Sequence, residues 1–162
     1  MQQDILIRAA RAEDGALMRA FMKKLGRYQK MEDHITATAD QLAQLVASGQ
    51  ARAFFAEREG EAVGFLFAYT VCSAFIGASG YYIDALYIDE GYRSQGIGRA
   101  LMVQMAKECA AAGFGRLEWG CLDWNQPALD FYQKIGAQVV SEMRIYRIHT
   151  ENIRQLAAEN IL

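Results

Sequence analysis

Two glycines, Gly96 and Gly98, follow a predicted strand that ends in Leu86-Tyr87-Ile88 and open a predicted helix, with Arg93 and Arg99 on either side. The first N–H groups of a helix have no intrahelical acceptor, and the helix dipole adds about half a positive charge there. Glycine lets the backbone approach a phosphate because it has no Cβ. The segment therefore predicts a phosphate site, although the two glycines alone are equally consistent with a tight strand–helix turn.

The spacing of these glycines excludes two common phosphate motifs. A Walker A loop needs Gly-Lys before Ser or Thr, and the sequence has no Gly-Lys pair. A dinucleotide fingerprint needs a third glycine, but Gly96-Ile97-Gly98 is followed by Arg99-Ala100-Leu101. What remains is the pattern R-x-x-G-x-G.

This pattern resembles the acyl-CoA motif of the GNAT superfamily, the acetyl-CoA-dependent N-acetyltransferases. A second segment resembles that family about thirty residues downstream, where Asn125 precedes A-x-x-F-Y and a final Gly136. The resemblance implies that acetyl-CoA is the co-substrate, held by the backbone of one strand, by the turn and by the downstream asparagine. The implied binding residues are Leu86, Ile88, Arg93, Ser94, Gln95, Gly96, Ile97, Gly98, Arg99 and Asn125.

Two further segments indicate one branch of the superfamily. Leu25–Asp33, with its pattern L-x-x-Y-x-x-M-E-D, and the pair Trp124-Asn125 are similar to the spermidine/spermine and thialysine N-acetyltransferases. The similarity extends over about residues 5 to 150. Enzymes of this branch are commonly dimers, so the resemblance also implies a homodimer.

Tyr132 is the candidate general acid. It lies seven residues after Asn125, where the resemblance places a tyrosine that protonates the departing CoA sulfur. A phenol has a pKa near 10 and is protonated at neutral pH, so it can donate without prior activation. The alternative is that Phe131 and Tyr132 only pack on one helix.

Asp84 is the candidate for recognition or deprotonation of the amine. A primary alkylamine has a pKa near 10, so about one molecule in a thousand is the neutral nucleophile at pH 7, a handicap of roughly 4 kcal/mol. Asp84 lies nine residues before Arg93, where the polyamine enzymes have a glutamate that relays the proton through water. A carboxylate is a weak base but a good cation anchor. The alternative is an ordinary solvated carboxylate.

The candidate substrate residues are Tyr28, Phe75 and Asp84. Tyr28 and Phe75 match aromatic positions of the branch, the second with a one-residue difference in spacing. Gln29, Ser73 and Ala85 stand where polyamine enzymes have acids. Because a polyamine carries several positive charges, we expect a smaller amine than spermine.

Composition excludes several other classes of protein. The chain has 162 residues, 52% of them hydrophobic, with 17 Lys+Arg against 19 Asp+Glu, which leaves no basic excess for nucleic acid. No apolar run approaches the ~20 residues of a membrane span. Three cysteines without a CxxC pair and only two histidines argue against a metal site. With no signal-peptide pattern at residues 1–4, these features predict a cytoplasmic protein.

The resemblance implies a single α/β domain over residues 1–162, with a mixed, mostly antiparallel sheet that is split in the middle and flanked by helices. Apolar spacing predicts a first helix over Asp14–Tyr28 and a long helix from Ile97 to about Ala112. Thr38-Ala39-Asp40 resembles a helix cap before Gln41–Ala47. Late strands are predicted at Val139-Val140 and Met143–Ile148, before a terminal helix over Asn152–Ala158.

The expected function is acetyl transfer from acetyl-CoA to a primary amine of a small molecule by direct attack. Two alternatives stay open at this point: a non-catalytic acyl-CoA sensor, and acetylation of a protein lysine or N-terminus. A covalent acetyl-cysteine at Cys121, which ends a strand bordering the family's cleft, is a further alternative.

Overall fold

The computed structural model describes residues 5–159, so the residues 1–4 used to predict location lie outside it. The chain forms two compact units, residues 1–125 and residues 126–162. The first contains a five-stranded sheet in the order β1-β2-β3-β4-β5, antiparallel except for β5, which runs parallel to β4. The strands are β1 (Leu6–Ala9), β2 (Ala51–Arg58), β3 (Glu61–Ser73), β4 (Ala78–Ile88) and β5 (Arg116–Trp119).

Helices cover both faces of this sheet. The helices of the first unit are α1 (Gly15–Tyr28), α2 (Ala39–Ala47) and α3 (Ile97–Ala111). On one face, the Phe21 ring of α1 lies 5.8 Å from that of Phe55 and 5.6 Å from that of Phe65. On the other face, Ile97 of α3 packs beside Gly64, the neighbour of Phe65 in β3. The α/β fold class with a mostly antiparallel sheet is confirmed.

Residues that cap helices explain where α2 begins. The Thr38 hydroxyl accepts a hydrogen bond from the Gln41 backbone N–H at 3.2 Å, and the Gln41 side chain accepts one from the Thr38 N–H at 2.9 Å. This reciprocal capping box satisfies two donors that the first turn would leave unbonded. The cap predicted from Thr38-Ala39-Asp40 is confirmed.

The pairing of β4 with both of its neighbouring strands changes next to Asp84. In the ladder with β3, Phe67 pairs with Ala85 and Ala68 pairs with Ile83, so Asp84 is the additional residue of a β-bulge. The parallel ladder with β5 ends at Ile83, opposite Trp119. The last part of β4 therefore continues beyond β5, and this is where the sheet splits.

A cluster of charged side chains fixes the start of the chain. Arg8 of β1 donates to both carboxylate oxygens of Asp14, at 2.8 and 3.0 Å, and also binds Glu57 of β2. The hydrogen bonds from the Arg8 guanidinium hold the pKa of the Asp14 carboxyl below its usual value. The same bonds raise the pKa of Arg8. The cluster joins the first two strands to the start of α1.

The second unit contains two helices, α4 (Gln126–Lys134) and α5 (Thr150–Ala157). The late strands predicted at Val139-Val140 and Met143–Ile148 are wrong, because this segment forms no ladder in the described chain. A β-strand requires a neighbouring strand that pairs with its backbone N–H and C=O groups. This segment has the side-chain pattern of a strand but no such neighbour among the described residues. Apolar side chains of the segment are exposed, namely those of Val139, Val140, Met143, Ile145 and Ile148.

No helix within residues 5–159 combines the length and apolar character needed to cross a bilayer. The assignment of residues 1–162 to one domain stays a prediction.

Candidate active site

The turn between β4 and α3 has the backbone geometry of an anion cradle. Ser94 and Gly96 both have positive φ, 60° and 83°. The first α-helical hydrogen bond of α3 runs from the Ala100 N–H to the Gly96 carbonyl at 2.9 Å, so the N–H groups of residues 97–99 precede it. A Cβ placed on Gly96 would meet no described atom within 4 Å. Alternating backbone conformations of this kind direct successive N–H groups toward one point, where an anion can bind.

Arg58, at the end of β2, supports this turn from outside. Its guanidinium donates to the Gln95 side chain, which in turn donates to the Gly91 carbonyl at 3.0 Å. The guanidinium also lies 5.6 Å from the centroid of the Tyr92 ring. Its Nε is buried and has no hydrogen-bond partner among the described residues. No sequence signal identified Arg58, because only the β2–β3 hairpin brings it within reach of Gln95.

Arg93 is held by the last residue of β4 and by two aromatic rings. Its Nε donates to the Ile88 carbonyl at 3.1 Å, and its guanidinium carbon lies 4.7 Å from the Tyr28 ring centroid and 5.5 Å from that of Tyr87. Contacts of this length between a guanidinium and an aromatic face are attractive. Arg93 therefore fixes the shape of the turn, whereas Arg99 is exposed in the first turn of α3.

Tyr28 connects the two sequence motifs. It is the last residue of α1, and its hydroxyl donates to Asn125 Oδ1 at 3.0 Å. Asn125 is a buried polar residue, 9% exposed, so this hydrogen bond satisfies a group that water barely reaches. The Trp124 ring lies 6.0 Å from the Tyr28 ring. The structure therefore brings together Tyr28, predicted for substrate, with Arg93 and Asn125, predicted for acetyl-CoA.

The other predicted residues of β4 lie along the part that continues beyond β5. Leu86 pairs with Leu66 and Ile88 pairs with Gly64 on the β3 side. Asp84 is exposed at the bulge, at the point where the ladder with β5 has ended. Along one stretch of chain, the Asp84 carboxylate is followed by a part of β4 with no described strand on its β5 side, and then by the start of α3.

Two further predicted residues belong to other elements. Phe75 belongs to the turn between β3 and β4 and is 100% exposed, and its role with substrate stays a prediction. Tyr132 belongs to α4 in the second unit, where its ring lies 5.4 Å from that of Phe131. That contact is the packing expected if the pair had a structural role, and the acid role of Tyr132 also stays a prediction.

The thiol of Cys121 does not have the environment of an activated nucleophile. Burial raises its pKa, which lowers the thiolate fraction at neutral pH. Residues 5–159 contain no group of three or more His, Cys, Asp or Glu that could hold a metal ion. The site is built from backbone N–H groups, arginines, aromatic rings and a carboxylate.

This arrangement agrees with comparisons to known proteins. The sequence pattern of the acetyltransferase (GNAT) family matches residues 16–137. That range includes the turn, the open part of β4, Asn125 and Tyr132. The chain belongs to the GNAT family and is an N-acetyltransferase of this type.

Relatives with named activities act on small amines. The chain is 35% identical over 98 residues to an L-ornithine N5-acetyltransferase of Arabidopsis thaliana, a match that covers 60% of this chain but only 43% of that protein. It is 27% identical over 171 residues to a thialysine N-epsilon-acetyltransferase of Bos taurus, covering 96% of this chain and 98% of the relative.

Solved structures show the same fold. An aminoglycoside acetyltransferase from an uncultured soil metagenomic sample superimposes with a TM-score of 0.76 at 20% identity, covering 90% of this chain and 95% of that one. Identity at this level is evidence for the fold alone.

Proposed function

We propose that this protein transfers the acetyl group of acetyl-CoA to a primary amine of a small molecule by direct attack. One observation carries the proposal. Along a single stretch of chain, a carboxylate at a bulge is followed by an open strand edge and then by a helix start with the conformation of an anion cradle. That order suits an acceptor, an extended thioester arm and a diphosphate.

The residues of the turn fit the co-substrate. The N–H groups of residues 97–99 and the exposed Arg99 supply donors for a diphosphate, and Gly96 leaves the space beside them empty. Arg58 and Arg93 contribute positive charge and hold the turn through Gln95 and the Ile88 carbonyl. The backbone at Leu86 and Ile88 would hold the extended arm.

The chemistry requires two proton transfers. The neutral amine forms a bond to the acetyl carbon as the carbon–sulfur bond breaks, so the amine loses a proton and the sulfur gains one. Asp84 anchors the ammonium form and takes its proton through water. Tyr132, assigned from its place seven residues after Asn125, donates a proton to the sulfur. No metal is required in this scheme.

Two measurements test the function. Calorimetry with acetyl-CoA, CoA and ATP should give tighter binding for acetyl-CoA than for ATP. A panel of primary amines should then release free CoA thiol at a rate that depends on the amine. Tighter binding of ATP would contradict the cradle assignment. Binding of acetyl-CoA with no transfer to any small amine, protein lysine or N-terminus would favour a sensor instead.

We also propose that the protein is a homodimer. Residues 139–148 carry apolar side chains in a strand-like pattern, exposed and without a ladder in the described chain. The same segment of a second copy would supply backbone partners and cover these side chains, since a two-fold interface joins identical surfaces. A cytoplasmic location stays a prediction.

Sedimentation tests the dimer. The parent should sediment at twice the mass of one chain, and Ile145→Glu should sediment as a monomer because it places a charge in the interface. Val103→Glu, an exposed position on α3, is the matched control and should leave the dimer intact. A monomeric parent, or a dimer that tolerates Ile145→Glu, would contradict this proposal.

A further inference from the structure

An open pocket of about 560 Å³ lies at the C-terminal end of α2, on the face of the sheet that α1 and α2 cover. Residues from the start of β2, the middle of β3 and the bulge of β4 form its walls. Its volume lies in the range of small-molecule sites, roughly 300–1,000 Å³. Asp84 is one of its lining residues, so the candidate base opens into a cavity large enough to hold an acceptor.

The pocket carries little charge. Among the described residues that line it, Asp84 has the only charged side chain. The other polar lining side chains are neutral: Ser48, Gln50, Tyr69 and Thr70. One carboxylate matches one ammonium group, whereas a second cation or an anion on the ligand would be desolvated without a partner of opposite charge.

Tyr69 is one of two aromatic residues that line this pocket, the other being Phe67. The Tyr69 ring lies 5.3 Å from that of Tyr82, tilted by 30°, and this contact restricts the ring's orientation. In β2, the residue opposite Tyr69 is Ala51, whose small side chain leaves room above the ring. An aromatic face packs well against a methylene stem and attracts a cation within about 6 Å.

Arg52 carries a positive charge near the rim of the pocket. Its Nη1 would lie 3.8 Å from a Cβ placed on Gly49, which lines the pocket. In the sheet, however, Arg52 is opposite Ala68 and alternates with the lining residue Ala51, so it originates on the other face. It is not among the residues that line the pocket.

We propose that this pocket holds the body of the acceptor amine and that Tyr69 is a specificity-determining residue. The acceptor class is a small primary amine with one positive charge and an uncharged body, apolar near Tyr69 and hydroxylated or amide-bearing near Gln50. This inference rests on the proposed function, because the amine that Asp84 receives is the one that is acetylated. It separates this protein from enzymes whose acceptors are polycations or carry a carboxylate.

Three amines of equal chain length test the acceptor class: an aminopentanol, a diaminopentane and an aminopentanoate, each with a terminal primary amine. The aminopentanol should have a kcat/KM about tenfold above those of the other two, because only its distal group is uncharged. A preference for the diamine would overturn the proposal. A preference for the aminopentanoate that is lost in Arg52→Gln would overturn it in favour of carboxylate recognition at the rim.

Substitutions at Tyr69 test its role in the pocket. Tyr69→Ala should raise KM for the aminopentanol about tenfold while KM for acetyl-CoA stays unchanged, and Tyr69→Phe should restore the parent KM because the ring is kept. Val103→Ala, at an exposed position on α3 that does not line the pocket, is the control. Unchanged acceptor KM in Tyr69→Ala would overturn the inference and leave the acetyltransferase assignment intact.

Direct binding separates failure of the inference from failure of the proposed function. Titration of the aminopentanol without acetyl-CoA, followed by NMR, should shift resonances of Tyr69 and Thr70 in the parent and bind at least about tenfold more weakly to Tyr69→Ala. If the aminopentanol binds at these residues but is not acetylated, the pocket is an amine-binding site and the proposed reaction is wrong. If transfer occurs without binding at these residues, the reaction stands and the pocket is not the acceptor site.

Discussion

The guanidinium of Arg93 lies against the ring of Tyr28, 4.7 Å from its centroid, and the Tyr28 hydroxyl donates to Asn125. The last residue of α1 therefore contacts both segments assigned to acetyl-CoA. An aromatic residue expected to bind substrate is in contact with the groups that shape the co-substrate site. Changes at the end of α1 should alter acetyl-CoA binding as well as acceptor binding.

Tyr28→Phe should weaken acetyl-CoA binding. The substitution keeps the ring against Arg93 but leaves Asn125, which is buried, without the hydroxyl that now donates to it. An unsatisfied buried polar group costs about 1–3 kcal/mol. We expect part of this cost to destabilise the complex with acetyl-CoA, so the dissociation constant should rise about fivefold or more. Calorimetry measures this, with Tyr69→Phe as the control, because that substitution also removes a tyrosine hydroxyl but lies outside the contacts of Arg93 and Asn125. Equal affinities for parent and Tyr28→Phe would show that the hydrogen bond does not position the site.

Gly96→Ala should weaken acetyl-CoA binding, and Gly60→Ala should not. Both glycines have nearly the same φ, 83° and 82°, and at both a Cβ would meet no described atom within 4 Å. Both substitutions should therefore cost a similar ~1 kcal/mol of stability, measured by urea unfolding. Only Gly96 lies in the cradle, so only its variant should lose affinity. A similar loss in both variants would point to a general effect of destabilisation.

Asp84→Asn should lower turnover of the best amine about tenfold or more, with little change in affinity for acetyl-CoA. It keeps the size of the side chain and removes the charge that anchors the ammonium group. The measurement is a pH–rate profile between about pH 6 and pH 9. Asp40→Asn, at an exposed aspartate in the first turn of α2, should match the parent. A profile identical to the parent's would assign Asp84 as a solvated carboxylate.

Tyr132→Phe should fold normally and bind acetyl-CoA, yet lose at least about tenfold in turnover, because proton donation is typically worth ~10²–10⁴. The variant keeps the ring that packs on Phe131, so it separates an acid from a packing residue. Single-turnover kinetics would show whether the chemical step has slowed. Turnover at the parent rate, with chemistry rate-limiting, would rule out the acid role.

Asp14→Asn should destabilise the fold by about 1 kcal/mol at neutral pH, the range of a well-formed partly exposed ion pair. The pKa of Asp14 is lowered from 3.8 by hydrogen bonds from Arg8, so its contribution is present above that value and is lost as pH falls through the lowered pKa. Urea unfolding should therefore give a difference between parent and variant that is constant from about pH 5 to pH 8 and declines below about pH 4. A difference that did not decline at all as the pH fell below the ordinary aspartate pKa of 3.8 would require another origin.

The elements predicted from the sequence were those with local signals. The Thr38 cap, the helical spacing of α1 and the glycines that open α3 all lie within a few residues of the structure they determine. Residues 139–148 have the side-chain pattern of strands but form none in the described chain, because pairing depends on a partner that a pattern does not specify.

Contacts between distant residues were not predictable from one sequence. Tyr28 and Asn125 are 97 positions apart, and Arg58 and Gln95 are 37 apart. Each contact depends on how helices and strands pack, and a one-residue change of register would remove it. The bulge at Asp84 is similar, since an acid between two apolar residues also fits a regular strand.

The bulge at Asp84 has a consequence for how such an enzyme can change its acceptor. Ile83 and Ala85, 4% and 2% exposed, take the pairing positions opposite Ala68 and Phe67, and both are buried. Asp84, between them, is exposed and takes no pairing position in the ladder with β3. A single substitution at position 84 can exchange one reactive group for another without repacking the interior. The buried residues of the sheet and the reactive group at position 84 can therefore change independently during evolution. A related protein can acquire a new acceptor through one substitution.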